Sequence, residues 1–183
     1  MRWRVGFRPS CGHRARRSRF LTADIDSLRI ARTLMHEDRM DEPSEAEEQM
    51  WCDGQRARVI EYLGREKLLN GEVGYWPAWH IWPHVAVWAI ESVRSPGWVG
   101  WWAVSGDLPT DYTGCGPERH PREGLRDIAT RWKEAAEKWR ENRSVEGWSV
   151  GAPEDRPTLA PLLVTRAELL LSYTADDNLW LDR

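Results

Sequence analysis

The feature that most constrains this fold is a tryptophan-rich segment, residues 75–112, punctuated by prolines. It holds Trp76, Trp79, Trp82, Trp88, Trp98, Trp101 and Trp102, seven of the chain's 13 Trp, against only 2 Phe and 4 Tyr overall. A buried Trp removes roughly 150–250 Å² from water and still needs a partner for its indole N–H. So dense a cluster therefore marks the structural centre, and any ring left at its edge is a candidate contact. Pro77 and Pro83 exclude a regular helix across Tyr75–Pro83.

Two apolar runs follow. His84–Ile90 is apolar on both faces, as a central strand would be, and Trp98–Val104 is the second run. Between them, Ser95-Pro96-Gly97-Trp98 has the Pro-Gly centre of a type II turn, which predicts an antiparallel hairpin over about 84–105. Trp101 and Trp102 must then face opposite sides. The exit, Ser105–Tyr112, reads as a loop, and residues 72–83 could add a strand.

Three helices are expected around this sheet. Ser44-x-x-Glu47 is a capping box, after which Ala46, Met50, Ala57, Ile60 and Leu63 recur at helical spacing to an end near Asn70-Gly71. Pro121 opens a second helix with Leu125, Ile128, Trp132, Ala135 and Trp139 on its inner face. A Gly/Pro-bearing linker, 146–157, leads to a third helix from about Leu159 to Thr174, with Leu159, Leu163, Ala167 and Leu170 inward. The fold class is thus α+β: a short antiparallel sheet packed by about three helices, in one domain over 44–183.

Charge divides the chain. Residues 1–32 hold nine Arg and two Asp, a net of +7, while the remainder holds 17 basic and 27 acidic residues, a net of −10. Residues 1–40 are expected to be a disordered basic extension or the product of a start assigned too far upstream. Their functional alternative is an arm for an anionic surface. The acidic remainder is a poor electrostatic match for nucleic acid. No apolar run is long enough to span a membrane or to serve as a secretory h-region, and Cys11, Cys52 and Cys115 form no CxxC pair. A cytoplasmic protein with no metal and no cofactor is the expectation.

The runs Trp76-Pro77-Ala78-Trp79-His80, Val87–Ser92, Pro96–Trp102, Ser105–Tyr112 and His120–Glu123 resemble a bacterial domain-of-unknown-function family. The resemblance covers roughly residues 48–140 and leaves the basic start outside. It implies a small bacterial protein and carries over no catalytic residue.

Site candidates follow from where the Trp-rich segment surfaces. Asp107 and Asp111 sit four apart at a strand exit, and paired carboxylates can share acid–base work when burial raises one pKa. The competing reading is that each accepts hydrogen bonds from its own loop. His80 is the candidate third group. His80 and His84 are separated by Pro83, which spoils a shared helical face for a metal. Cys52 and Cys115 have no identifiable base. Trp79, Trp82, His84, Trp101, Asp107, Asp111 and Tyr112 form the candidate binding set, Trp being enriched in interface hot spots. Two functions are carried forward. The first is a non-enzymatic protein-binding or accessory module, immunity-like or regulatory; the second is a small hydrolase or transferase using Asp107, Asp111 and a histidine.

Overall fold

The computed structural model describes residues 44–116, 120–141, 143, 145 and 153–181. The basic segment 1–40, Cys11 and most of the linker expected over 146–157 lie outside the described residues.

Helix α1 spans Glu45–Arg65. Its capping box forms as expected: Ser44 Oγ accepts from the Glu47 N–H at 3.3 Å, and the Glu47 carboxylate accepts from the Ser44 N–H at 2.9 Å. The side-chain hydrogen bond from Ser44 holds the Glu47 carboxyl below its usual range. The helix stops six residues before Gly71. Lys67 takes the left-handed position (φ 55°), and the N–H groups of Lys67 and Leu68 donate to Gly64 O and Leu63 O at 3.2 and 3.1 Å. That is a Schellman ending built without glycine.

The sheet is an antiparallel meander in spatial order β1-β2-β3-β4, with β1 Trp79–Ile81, β2 Val85–Ser92, β3 Ser95–Gly106 and β4 Asp111–Gly114. The expected hairpin is β2–β3, but its turn lies elsewhere. Ser92 pairs with Ser95, so Val93 and Arg94 make the connection, while Pro96-Gly97 forms an irregularity within β3. Gly97 does adopt the positive φ (80°) that its sequence context suggests. The Glu91 carboxylate stabilises this bulge, accepting from the Gly97 N–H at 2.6 Å and from the Glu72 N–H at 3.3 Å. These bonds, Gly97 first, hold its carboxyl below the usual range. A second difference is β4: part of the expected exit loop pairs with Trp101–Val104 as a fourth strand. Residues 72–83 contribute β1 and an isolated bridge, Val73 to Ile90.

Strand alternation sends residues to two cores. Val85, Val87, Trp102 and Val104 face helices α2 (Pro121–Arg140) and α3 (Arg156–Ala175), while Ala86, Trp88, Ile90 and Ala103 face α1. Trp101 and Trp102 do divide between the two sides. On α2, all five expected inward residues are at most 1% exposed. Gly124 lets that helix lie directly on the sheet, because a Cβ there would sit 2.6 Å from Trp102. On α3, Leu163, Ala167 and Leu170 are buried as expected, with Ala160 beside them.

The inner face of α1 matches the expected one only at Leu63. Cys52, Gln55, Val59 and Leu63 are buried, whereas Ala46, Met50, Ala57 and Ile60 are exposed. The buried stripe contains a Cys and a Gln, which a search for apolar periodicity passes over.

The C-terminus closes the α2–α3 side. Trp180 stacks on Trp79 at 4.5 Å and 9°, and their indole N–H groups donate to Tyr173 O and Leu179 O. Arg122 donates to Thr174 O at 2.7 Å and to Asp177 at 2.6 Å, and lies over the Trp180 ring.

Candidate functional site

Two turns meet at one end of the sheet. The β1–β2 turn runs Trp82-Pro83-His84, with a cis peptide before Pro83, and the β3–β4 turn begins at Gly106-Asp107. They are joined because the Asp107 N–H donates to His84 O at 2.9 Å. Gly106 makes that approach possible: its φ is 142°, and a Cβ would collide with the His84 carbonyl. Trp82 and His84 are half-buried there, and Asp107 and Pro109 are exposed. Asp107 pairs with Arg166 of α3 at 3.0 Å. With the Asp107 side chain 69% exposed, that ion pair contributes little stability. Trp82, His84 and Asp107, 23 or more residues apart in sequence between the two turns, are thus brought to one end of the sheet.

Asp111 is placed differently. It opens β4, and its carboxylate accepts from Arg131 Nη2 at 2.7 Å, from the Trp132 indole N–H at 2.8 Å and from the Tyr112 N–H at 2.8 Å. Arg131 also donates to Tyr112 O at 2.7 Å. With the Asp111 side chain 14% exposed, these contacts fasten the edge strand to α2. Asp107 and Asp111 therefore do not form a carboxylate pair. One engages α3 and the other α2.

His80 lies across the sheet. Its Nε2 is 2.5 Å from the Glu48 carboxylate on α1, and its ring contacts Trp51 at 6.2 Å and Trp76 at 5.6 Å between centroids. β1 and β4 are opposite edges of a four-stranded sheet. At about 4.8 Å per strand, roughly 14 Å separates the edges. His80 thus shares no site with Asp111. Trp79, a proposed contact residue, is 1% exposed and belongs to the core, where its ring stacks and its N–H is satisfied. Trp101 and Tyr112 are half-buried and meet edge to face at 5.7 Å, with Tyr62 of α1 against Tyr112 at 6.1 Å. Burial, and then the negative charge of Asp111, pushes the Tyr62 hydroxyl pKa well above its ordinary value.

Glu48, Arg131 and Arg166 were not among the residues singled out from sequence. Each is a charged residue on a helix, and only its distant partner distinguishes it from a solvated one. Cys52 is fully buried, and burial, followed by the charges of Glu48 and Asp53, pushes its thiol up to about 12. It stays protonated near neutral pH and is no nucleophile there. Among the described residues, no group of three or more His, Cys, Asp or Glu could hold a metal ion, and no helix is long and apolar enough to cross a membrane.

No curated protein and no solved structure matches this chain. The family model described as a domain of unknown function, DUF4826, matches residues 45–180. That span runs from the first residue of α1 to Trp180, whose ring closes the core, and the chain belongs to this family.

Proposed function

We propose that this chain is a non-enzymatic protein-binding module, an immunity-like or regulatory accessory of the bacterial cytoplasm, and that it contacts its partner through the sheet end formed by Trp82, His84 and Asp107. The observation that carries this reading is the junction of the two turns through His84 O and the Asp107 N–H. It sets a half-buried indole, an imidazole and an exposed carboxylate on a backbone clamped by hydrogen bonds. An aromatic anchor ringed by polar groups on a rigid frame is the usual anatomy of a protein contact. The acidic balance of residues 33–183 favours a protein partner over nucleic acid.

A hydrolase or transferase using Asp107, Asp111 and a histidine would need those groups around one substrate. Asp111 instead accepts three hydrogen bonds, and His80 is engaged by Glu48. Affinity capture from the native host, followed by mass spectrometry, tests the proposal. A specific protein retained by the wild type and lost from a folded Trp82→Ala/Asp107→Arg variant supports it. The same proteins retained by both, or none by either, sinks it.

A further inference from the structure

Helix α1 buries one stripe of residues and, among the described residues, leaves a second, with Met50 and Ile60 on it, exposed. Cys52, Val59 and Leu63 face the sheet. The second stripe runs Ala46, Met50, Asp53, Ala57, Ile60 and Gly64, and all six are exposed, Met50 by 69% and Ile60 by 45%. Its spacing of four and three alternates without a break. That heptad rhythm is the seam of one helix lying along another.

Charge is ordered along the same helix. Among its exposed residues, Glu45, Glu47 and Asp53 fall in the first half, and Arg58 and Arg65 stand against Glu61 in the second. Glu48 and Arg56 are held by His80 and by the Val73 and Gly74 carbonyls. A parallel second copy would lay acid on acid. An antiparallel copy sets Glu45 by Arg65 and Asp53 by Arg58, each twice, although it brings Glu47 near Glu61, and it opposes the helix dipoles as well.

We infer that the exposed stripe of α1 is the contact of an antiparallel homodimer, in which α1 of a second copy of this chain lies along it about a two-fold axis. Such an interface is isologous, so every contact occurs twice. Met50 then opposes Ile60 of the second copy, Ala46 opposes Gly64, and Asp53 lies by Ala57 and Arg58. Ile60 also borders a groove of about 340 Å³ between α1 and residues 70–75, lined by Arg56, Gly71, Val73 and Tyr75 among others. The flexible thioether of Met50 from the second copy is suited to enter it. Gly64, on the stripe itself, has nothing within 4 Å of a Cβ placed on it, so a second backbone can approach closely there. The contact uses none of the sheet-end residues, and either proposal can fail without the other.

Sedimentation velocity on the full chain across a wide concentration range provides the test. The expected result is a reversible monomer–dimer equilibrium that Ile60→Glu abolishes. Asp53→Arg and Arg58→Asp should each weaken it by about tenfold or more, and the two together should restore it, because the charge pair is rebuilt with reversed sign. Circular dichroism confirms that each variant folds. Should Ile60→Glu misfold, Met50→Glu, at the more exposed site, asks the same question. A monomer at every concentration, a dimer indifferent to the Glu substitutions, or a double swap without rescue each overturns the inference.

Discussion

The two faces of the sheet are covered in different ways. On one, α2 and α3 bury a continuous set of Trp, Leu, Ile, Val and Ala, and Trp180 closes it from the C-terminus. On the other, α1 is the one helix among the described residues, over a smaller cluster, with Gln55 buried in its contact face and Tyr62, Tyr112 and Trp101 meeting at the β4 side. Among the described residues Gln55 Oε1 has no hydrogen-bond partner, although the residue is only 5% exposed. On the paired-helix face even a single added methyl is felt, since a Cβ on Gly124 would sit 2.6 Å from Trp102. Among the described residues the single-helix face tolerates a polar mismatch and leaves Met50 and Ile60 of its helix exposed. The difference teaches that α2, packed between the sheet and α3, buries a wholly apolar face, whereas α1 buries a glutamine in its own.

The same substitution should have opposite signs on the two faces. Gly124→Ala puts a methyl against Trp102, and the clash should outweigh the better helix propensity of Ala, for a net loss of about 1–3 kcal/mol. Gly54→Ala meets nothing and should instead raise stability by up to about 1 kcal/mol. Urea unfolding of both variants measures this. A neutral Gly124→Ala would mean that the Trp102 contact is looser than its geometry indicates, and the contrast would collapse.

A smaller effect is expected at Gln55. Gln55→Leu removes a buried acceptor lacking a partner and should stabilise by about 1 kcal/mol. A loss of similar size would show that this amide is satisfied after all, for instance by an ordered water, and that the two faces are equally complete.

The smallest effect concerns pH on the paired-helix side. His120 caps α2, its Nδ1 accepting from the Arg122 N–H at 3.2 Å, which requires that nitrogen to be unprotonated. Burial, and then the nearby Arg122 charge, lowers its pKa from the usual 6.5. Because the unfolded chain takes up this proton first, the contribution is full above about pH 6.5 and is lost as pH falls toward the folded-state value. Asn also caps helices, so His120→Asn should unfold with a shallower loss of stability between neutral and mildly acidic pH. Identical slopes for the two proteins would remove His120 from the acid response.

Much of the architecture was legible in the residues themselves. The capping box at Ser44, the inner face of α2, the hairpin over 84–105, the opposed Trp101 and Trp102 and the C-terminal helix all follow from local pattern, because cap chemistry and the 3.6 and 2.0 periodicities act within a few residues. Four things were settled only by tertiary contacts. The buried face of α1 depended on which of two stripes met the sheet. The hairpin turn moved to Val93-Arg94 because the Glu91 carboxylate holds Gly97 within β3. Asp111 became a strand residue because Arg131 and Trp132, about twenty positions away, bind its carboxylate. Trp79 passed from candidate contact to core because Trp180, about a hundred positions away, stacks on it. The physical reason is shared: local sequence encodes what a segment can bury or bond, and the partner that decides, six positions away for Gly97 and about a hundred for Trp79, is marked by no periodic pattern.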